Sequence, residues 1–185
     1  MLSNEVDQFY RRWSEKAEGY QENDLRNCFD EFFTLFVAFN SLYVQASYKL
    51  ISRGDAKLNK YGTVPDGEGA KENVVKYLDA QAIFDRIEAH QPAKDALNAI
   101  VNEIKSGRFY LKTAAWDTKR VAAIRSQDPA RLSKATLEIL YVVRCNMFHG
   151  SKGYEPIQMA LLKPCIVLLR IINQLLYESL VADII

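Results

Sequence analysis

Hydrophobic residues recur along this chain at the spacing of helices rather than that of strands. The first stripe contains Val6, Phe9, Tyr10 and Trp13, at offsets of three, four and seven residues, which predicts an amphipathic helix. A broader apolar face predicts a second helix over residues 25–51. Since no segment shows the alternating pattern of a strand, the sequence predicts an all-α fold.

Glycine and proline mark the breaks further along the chain. Residues 59–69 are rich in both and predict a loop. Apolar spacing then predicts helices over residues 72–89 and 92–105, and a short helix over 117–125.

The next helix, called the motif helix below, has the clearest boundaries. Asp128 precedes Pro129, and this pair is typical of a helix start, because Asp caps free amides and a first-turn Pro loses no needed donor. The apolar pattern continues to Phe148, and Gly150 is a residue that commonly ends a helix. We expect the motif helix to cover residues 129–148.

A last helix is predicted over residues 156–183, with a kink at Pro164, whose ring removes one backbone hydrogen bond. Between residues 161 and 176 it is apolar nearly all round, so it either lies centrally in the bundle or forms a subunit interface. Lys163, Pro164 and Arg170 interrupt its most apolar stretch, and a membrane span is therefore not expected.

Length and composition favour one ordered domain over residues 1–185, since 49% of the residues are hydrophobic and 25% are charged. Cys28, Cys145 and Cys165 are widely spaced and form no Cys-x-x-Cys pair, so neither a disulfide framework nor a zinc site is expected. The N-terminal residues show no signal-peptide pattern, and we expect a cytoplasmic protein without a metal or cofactor.

Charge is unevenly distributed, although the net charge is only +1. Residues 106–152 contain nine Lys or Arg and three acids, which gives this segment +6 and leaves about −5 for the remainder. Cations and aromatics alternate in part of it, a pattern that suits single-stranded RNA, while solvated lysines and ordinary aromatic packing are the alternative. The candidate RNA-binding residues are Arg108, Lys112, Lys119, Arg120 and Lys152.

Arg144 lies on a face of the motif helix that would otherwise belong to the core. Leu137, Leu140, Tyr141 and Phe148 stand at helical offsets from it. Because an unpaired buried charge is costly, the guanidinium needs an acid, a polar network or a cleft that is open to an anionic ligand. An Arg that extends to the surface, or pairs structurally, is the alternative.

His149 follows Arg144 by five residues, which is roughly 140° further around an ideal helix. Because Gly150 ends the helix, we expect the last turn either to unwind and bring the imidazole towards Arg144, or to present it to a second subunit. The alternative is a histidine that caps the helix or interacts with its dipole.

These residues resemble the Arg-x(4–6)-His motif of the HEPN superfamily. Arg144-x4-His149 with Gly150 is similar to branches that read Arg-Asn-Asn-Leu-Phe-His-Gly, and the chain resembles the Apea-like branch. Residues 39–43, Phe-Asn-Ser-Leu-Tyr, are similar to the Phe-Asn-x-Leu-Tyr segment of those branches. The resemblance implies a HEPN-like helical bundle in which residues 55–127 form a helical insertion before the motif helix.

The resemblance also implies a metal-independent endoribonuclease, in which the ribose 2′-hydroxyl attacks the adjacent phosphate. Arg144 and His149 would be catalytic, and Asn146 would contact a phosphate oxygen. A homodimer would supply a second imidazole, and the setting would be defence, stress or a toxin–antitoxin system.

Asn40 interrupts the apolar stripe of the second helix, where an unpaired amide would cost about 1–3 kcal/mol. It is therefore expected to be a hydrogen-bonded buried amide, or else to take part in the active site. Cys145 stands where family members usually carry Asn, Asp or His. This departure keeps open a non-catalytic interaction or dimerisation module, or a nucleotide-binding partner of a nucleotidyltransferase.

Overall fold

The computed structural model describes four stretches of the chain, residues 3–20, 24–107, 110–148 and 155–183. Within them the protein is helical and contains no strand, which confirms the predicted all-α class. The first helices are α1 (Asn4–Glu18) and α2 (Leu25–Ser52). The side chains of Ser3 and Asp24 accept hydrogen bonds from backbone amides in the first turn of each helix, which fixes where the two helices begin.

The segment predicted as a loop followed by one long helix has a different structure. A helical turn, α3 (Asp66–Glu68), continues into a π-helical turn (Gly69–Asn73) and then into α4 (Val74–Leu78). Asp79 interrupts the chain with a φ of 70°, and its side chain caps α5 (Ala80–Glu88). The predicted loop and the predicted long helix were both wrong at their boundaries. The apolar residues keep their helical spacing across the backbone break at Asp79, so the spacing did not reveal it.

The remaining helices lie close to their predicted positions. They are α6 (Gln91–Lys105), α7 (Ala114–Arg125), α8 (Pro129–Phe148) and α9 (Met159–Ala182). Helix α8 is the predicted motif helix, and the Asp128 carboxylate caps it by accepting a 2.8 Å hydrogen bond from the amide of Arg131.

Helix α9 lies at the centre of the bundle. It packs along α2 and α6, and most of its side chains are buried. A central position was one of the two predicted alternatives. The buried side chains of α9 pack inside the protein, so they are not available for a subunit interface. The helix continues through Pro164. With its preceding turn it is long and apolar enough to cross a membrane by length and composition, and 67% of its most apolar window is buried inside the protein.

One continuous hydrophobic core joins α1, α2 and the helices from α4 to α9. The predicted insertion, residues 55–127, contributes Ile83, Ile87 and Ile100 to this core. It therefore packs with the rest of the bundle. The insertion also carries the π-helical turn that packs between α2 and α8, and this packing positions the site described next.

Candidate functional site

Arg144 lies near the C-terminal end of α8, and its guanidinium is held by aromatic rings and one acid. Its Cζ is 5.6 Å from the centre of the Phe36 ring and 6.0 Å from that of Tyr141. Its Nη1 is 3.4 Å from Oδ2 of Asp66, and the side chain is 24% exposed. The expected need for a partner is thus met by an acid and by ring faces, which attract cations.

The Asp66 carboxylate joins three side chains. The Tyr43 hydroxyl donates a hydrogen bond to Oδ1, and the Tyr141 hydroxyl donates one of 3.0 Å to Oδ2, the oxygen nearest Arg144. Burial, reinforced by the Asp66 carboxylate, raises the pKa of Tyr43 and of Tyr141 well above the usual value. Both hydroxyls therefore remain protonated donors at neutral pH. Asp66 itself is 46% exposed, so this Arg144 cluster opens to solvent on that side.

Close packing at Gly69 brings Asp66 to this position. A Cβ atom on Gly69 would lie 2.9 Å from the Tyr43 ring and 2.9 Å from the side chain of Val64, which is closer than side chains tolerate. The absence of a side chain therefore lets the π-helical turn approach α2. Asp66, three residues earlier, then meets the Tyr43 hydroxyl.

A cavity of about 260 Å³, called the α8 cavity below, is lined in part by Tyr141 and Cys145, which also contact the Arg144 guanidinium; Arg144 itself does not line it. Helix α8 forms one wall through Glu138, Tyr141, Val142 and Cys145, which follow one another at helical spacing. The other lining residues are Lys71, Lys112, Trp116 and Asn146. Cations, aromatic rings and one carboxylate therefore face the same space.

A shielded ion pair fixes one side of this cavity. The Arg120 guanidinium contacts Oε2 of Glu138, and their side chains are 15% and 12% exposed. The guanidinium carbon of Arg120 also lies 4.6 Å from the centre of the Trp116 ring. Arg120 was a candidate RNA-binding cation, and the structure pairs its charge within the protein. The pair holds Trp116 and Glu138 in place.

Asn146 ties the end of α8 to the segment before α7. Its Nδ2 donates a 2.7 Å hydrogen bond to the backbone carbonyl of Leu111. The buried Asp117 carboxylate accepts hydrogen bonds from the amides of Leu111 and Lys112, at 2.9 and 3.2 Å. These contacts fix the backbone of Lys112 at the cavity. The side-chain amide of Asn146 was expected to contact a phosphate oxygen. In the structure its Nδ2 donates to the Leu111 carbonyl.

Asn40 is exposed, so the expectation of a buried, hydrogen-bonded amide was wrong. The fully buried side of α2 carries Phe36 and Tyr43, and Asn40 lies at the border of that side, about one turn from each. Helical periodicity gives the direction of a side chain, but not whether a neighbouring helix covers the border. Asn40 is thus a solvent-accessible amide on α2 close to the residues that hold Arg144.

The other candidate residues fall into two groups. Arg108, His149 and Lys152 lie outside the described residues. Lys119 is exposed on α7 and does not line the cavity, whereas Lys112 does. Among the described candidates, Lys112 and Asn146 line the α8 cavity, and Arg120 contacts two of its lining residues, Trp116 and Glu138.

Sequence reasoning missed the residues that complete this site. Glu138 had a usable signal, because it is the one acid in the apolar run 137–143 and so requires a cationic partner. No sequence signal pointed to Lys71 or Asp66, since the loop and helix in that segment were predicted from Gly and Pro content and from apolar spacing alone.

Comparison with protein-family models, curated proteins and solved structures gave no match to this chain. Among the described residues, no group of three or more His, Cys, Asp or Glu side chains is placed to hold a metal ion.

Proposed function

We propose that this protein is a HEPN-like helical bundle that cleaves RNA without a metal ion, with Arg144 and His149 as its catalytic residues. The main support is the position of Arg144 near the end of α8, where its guanidinium contacts Tyr141 and Cys145, two residues that line a cavity together with Lys112 and Trp116. Cations next to aromatic surface suit single-stranded RNA, because cations contact phosphates while bases stack on rings.

In the proposed reaction the ribose 2′-hydroxyl oxygen forms a bond to phosphorus while the bond from phosphorus to the 5′-oxygen breaks. A base takes the 2′-hydroxyl proton and an acid gives a proton to the 5′-oxygen, which leaves a 2′,3′-cyclic phosphate and a 5′-hydroxyl. His149 supplies one proton-transfer group, because imidazole titrates near neutral pH. Arg144 stabilises the charge on the phosphate oxygens through its fork of N–H donors.

Asp66 competes with phosphate for Arg144 in this proposal. The 3.4 Å contact is longer than a usual hydrogen bond of roughly 2.7–3.2 Å, and the carboxylate is 46% exposed. Exposed ion pairs contribute only about 0–1 kcal/mol, whereas a bidentate contact of Arg with phosphate is stronger. A phosphate can therefore displace the carboxylate.

The proposed setting is a cytoplasmic homodimer in a defence, stress or toxin–antitoxin system, with an antitoxin or a nucleotidyltransferase as a further partner. A dimer is favoured because the chain contains two histidines and only His149 belongs to the motif. General acid and general base roles would then be shared between two copies of the motif.

The test is cleavage of labelled single-stranded RNA by purified protein in the presence of EDTA. We expect cleavage products with cyclic-phosphate ends, identified by mass spectrometry. Arg144→Ala and His149→Ala should each reduce the rate by about 100-fold or more, because each removes a group that acts in the transition state. Arg144→Lys should also be impaired, since a point charge does not replace the fork of donors.

Lys57→Ala is the matched control, because it removes one exposed cation far along the chain from the motif. It should leave the cleavage rate unchanged. A strict requirement for a divalent ion, or full activity of Arg144→Ala, would contradict the proposed mechanism.

The contact between Arg144 and Asp66 favours a second candidate, a non-catalytic interaction module. An ion pair supported by Tyr43 and Tyr141 is also what a purely structural arginine would make. This candidate gains support if wild-type protein leaves a random RNA pool intact while Arg144→Ala loses thermal stability.

A further inference from the structure

We propose that the α8 cavity binds a guanine base, so that guanine next to the cleaved phosphate defines the substrate. This inference rests on the proposed ribonuclease function and adds to it the class of RNA that the site accepts. It is carried by the placement of Glu138, Trp116, Lys71 and Lys112 around one space.

The size and position of the cavity fit one nucleotide. At about 260 Å³ it is smaller than most sites for drug-sized ligands, which suits a single base rather than a dinucleotide. Glu138 precedes Arg144 by six residues, which is about 9 Å along the helix axis. Six residues also turn the helix by about 120°, so a base at Glu138 and a phosphate at Arg144 would belong to neighbouring nucleotides of a strand that passes around α8.

Aromatic surface is available for stacking. Trp116 and Tyr141 both line the cavity. Each ring is held by a cation, since the guanidinium of Arg120 lies 4.6 Å from the Trp116 ring centre and Nζ of Lys71 lies 5.1 Å from that of Tyr141. Rings fixed in this way provide a stacking surface with little loss of side-chain entropy.

The polar groups distinguish among bases. Glu138 contacts Arg120 through Oε2, and its side chain also lines the cavity. A carboxylate only accepts hydrogen bonds, so the ligand must present donors to it. Guanine presents the ring N1–H and the amino group side by side. Uracil has one N–H between two carbonyl groups, and a carboxylate would repel the oxygens of those carbonyls.

The lysines complement the opposite edge of the same base. Guanine carries O6 and N7 as acceptors, and Lys is a common partner of these two atoms. Lys71 and Lys112 line the cavity together with Glu138. An acceptor and two cationic donors around one space thus match guanine better than adenine or cytosine, which lack the paired donors.

The test is titration of GMP, AMP, CMP and UMP into the purified protein, followed by calorimetry and by Trp fluorescence. We expect GMP to bind at least about tenfold more tightly than the other three, the discrimination that a good base contact provides. Equal affinity for the four nucleotides would overturn the inference.

Variants link the preference to the cavity. Glu138→Gln should reduce the GMP preference to about threefold or less, and Lys57→Ala should leave it unchanged. Because Glu138→Gln leaves Arg120 without its partner, the double variant Arg120→Gln/Glu138→Gln is measured beside it, with thermal unfolding as a folding control. Retention of the GMP preference in a folded double variant would also overturn the inference.

Sequencing of cleavage products from a random RNA pool separates this inference from the ribonuclease proposal. Cuts with guanine enriched at one fixed position beside the cleaved bond support both. Cuts without base preference overturn the guanine assignment alone. Tight GMP binding by a protein that cuts no RNA supports the cavity assignment and overturns the ribonuclease function.

Discussion

Nη1 of Arg144 lies 3.4 Å from Oδ2 of Asp66, although 78 residues separate the two in the chain. This contact joins α3, which belongs to the inserted segment, to the end of α8. Two tyrosine hydroxyls bind the same carboxylate, so Asp66 sets both the charge and the position of the groups around Arg144. Asp66 is therefore the most informative residue to change.

Asp66→Asn should strengthen binding of single-stranded RNA by about threefold to tenfold, because it removes the anion that competes with phosphate for Arg144. The protein should lose about 1 kcal/mol of unfolding free energy, since the carboxylate hydrogen bonds become neutral ones. Fluorescence anisotropy with labelled RNA and chemical denaturation measure the two effects.

Asp55→Asn is the control for that variant, because Asp55 is exposed and its change in net charge is the same. It should alter RNA binding much less than Asp66→Asn does. Weaker RNA binding by Asp66→Asn would mean that the carboxylate positions Arg144 rather than competing for it.

Gly69→Ala should destabilise the protein by about 1–3 kcal/mol, because the new methyl group would press on the Tyr43 ring and on Val64. Gly67→Ala is the comparison, since its Cβ would lie 3.2 Å from the hydroxyl oxygen of Tyr141 and 3.4–3.5 Å from its ring, which are looser contacts than those at Gly69. Urea unfolding of both variants should show the larger loss for Gly69→Ala. Equal midpoints would show that the π-helical turn can move away from α2.

Alkaline pH should destabilise the fold. Burial, helped by Asp66 and by Asp183, raises the pKa of Tyr43, Tyr141 and Tyr77. Below pH 10, the usual pKa of tyrosine, both the folded and the unfolded chain keep these protons, and the stabilising contribution is complete. Above it the unfolded chain loses protons first, so the free energy of unfolding falls as pH rises.

The measurement is urea unfolding between pH 8 and pH 11, with tyrosinate absorbance recorded in parallel. The loss per pH unit should be smaller in Tyr43→Phe than in wild type, by at most about 1.4 kcal/mol. Identical slopes would show that Tyr43 titrates normally in the folded protein.

Periodicity and caps were sufficient to predict much of the fold. The apolar stripes located α2 and α6, and the Asp128–Pro129 pair located the start of α8. The break at Asp79 was not predictable in this way, because a positive φ at a non-glycine residue leaves no trace in an apolar period. Local rules therefore found helices but missed a junction that tertiary packing stabilises.

The candidate site was predictable from the sequence only where the residues of a single helix carried the signal. The apolar face around Arg144 showed that this cation needs a partner, since burying an unpaired charge is costly. It did not show that Asp66 is that partner, because the contact depends on how Gly69 packs against Tyr43. Contacts between distant segments follow from packing, which spacing along one helix does not describe.

A charged substitution in α9 should unfold the protein rather than separate subunits. Leu169 is fully buried and α9 packs on α2 and α6, so Leu169→Glu would bury an unpaired charge. Light scattering of wild type should give twice 21.2 kDa if the proposed homodimer forms. A folded, monomeric Leu169→Glu protein would instead place the subunit interface on α9.

The last prediction joins assembly to chemistry. On an ideal helix His149 would lie roughly 140° around from Arg144 of its own chain, so a shared site would combine Arg144 of one chain with His149 of the other. Arg144→Ala and His149→Ala homodimers should both be inactive. When the two are mixed and exchange subunits, the heterodimer keeps one Arg144 and one His149, on different chains. If the site is shared, the mixture should recover part of the activity that neither homodimer has. Verified subunit exchange without recovered activity would show that each chain must carry both residues.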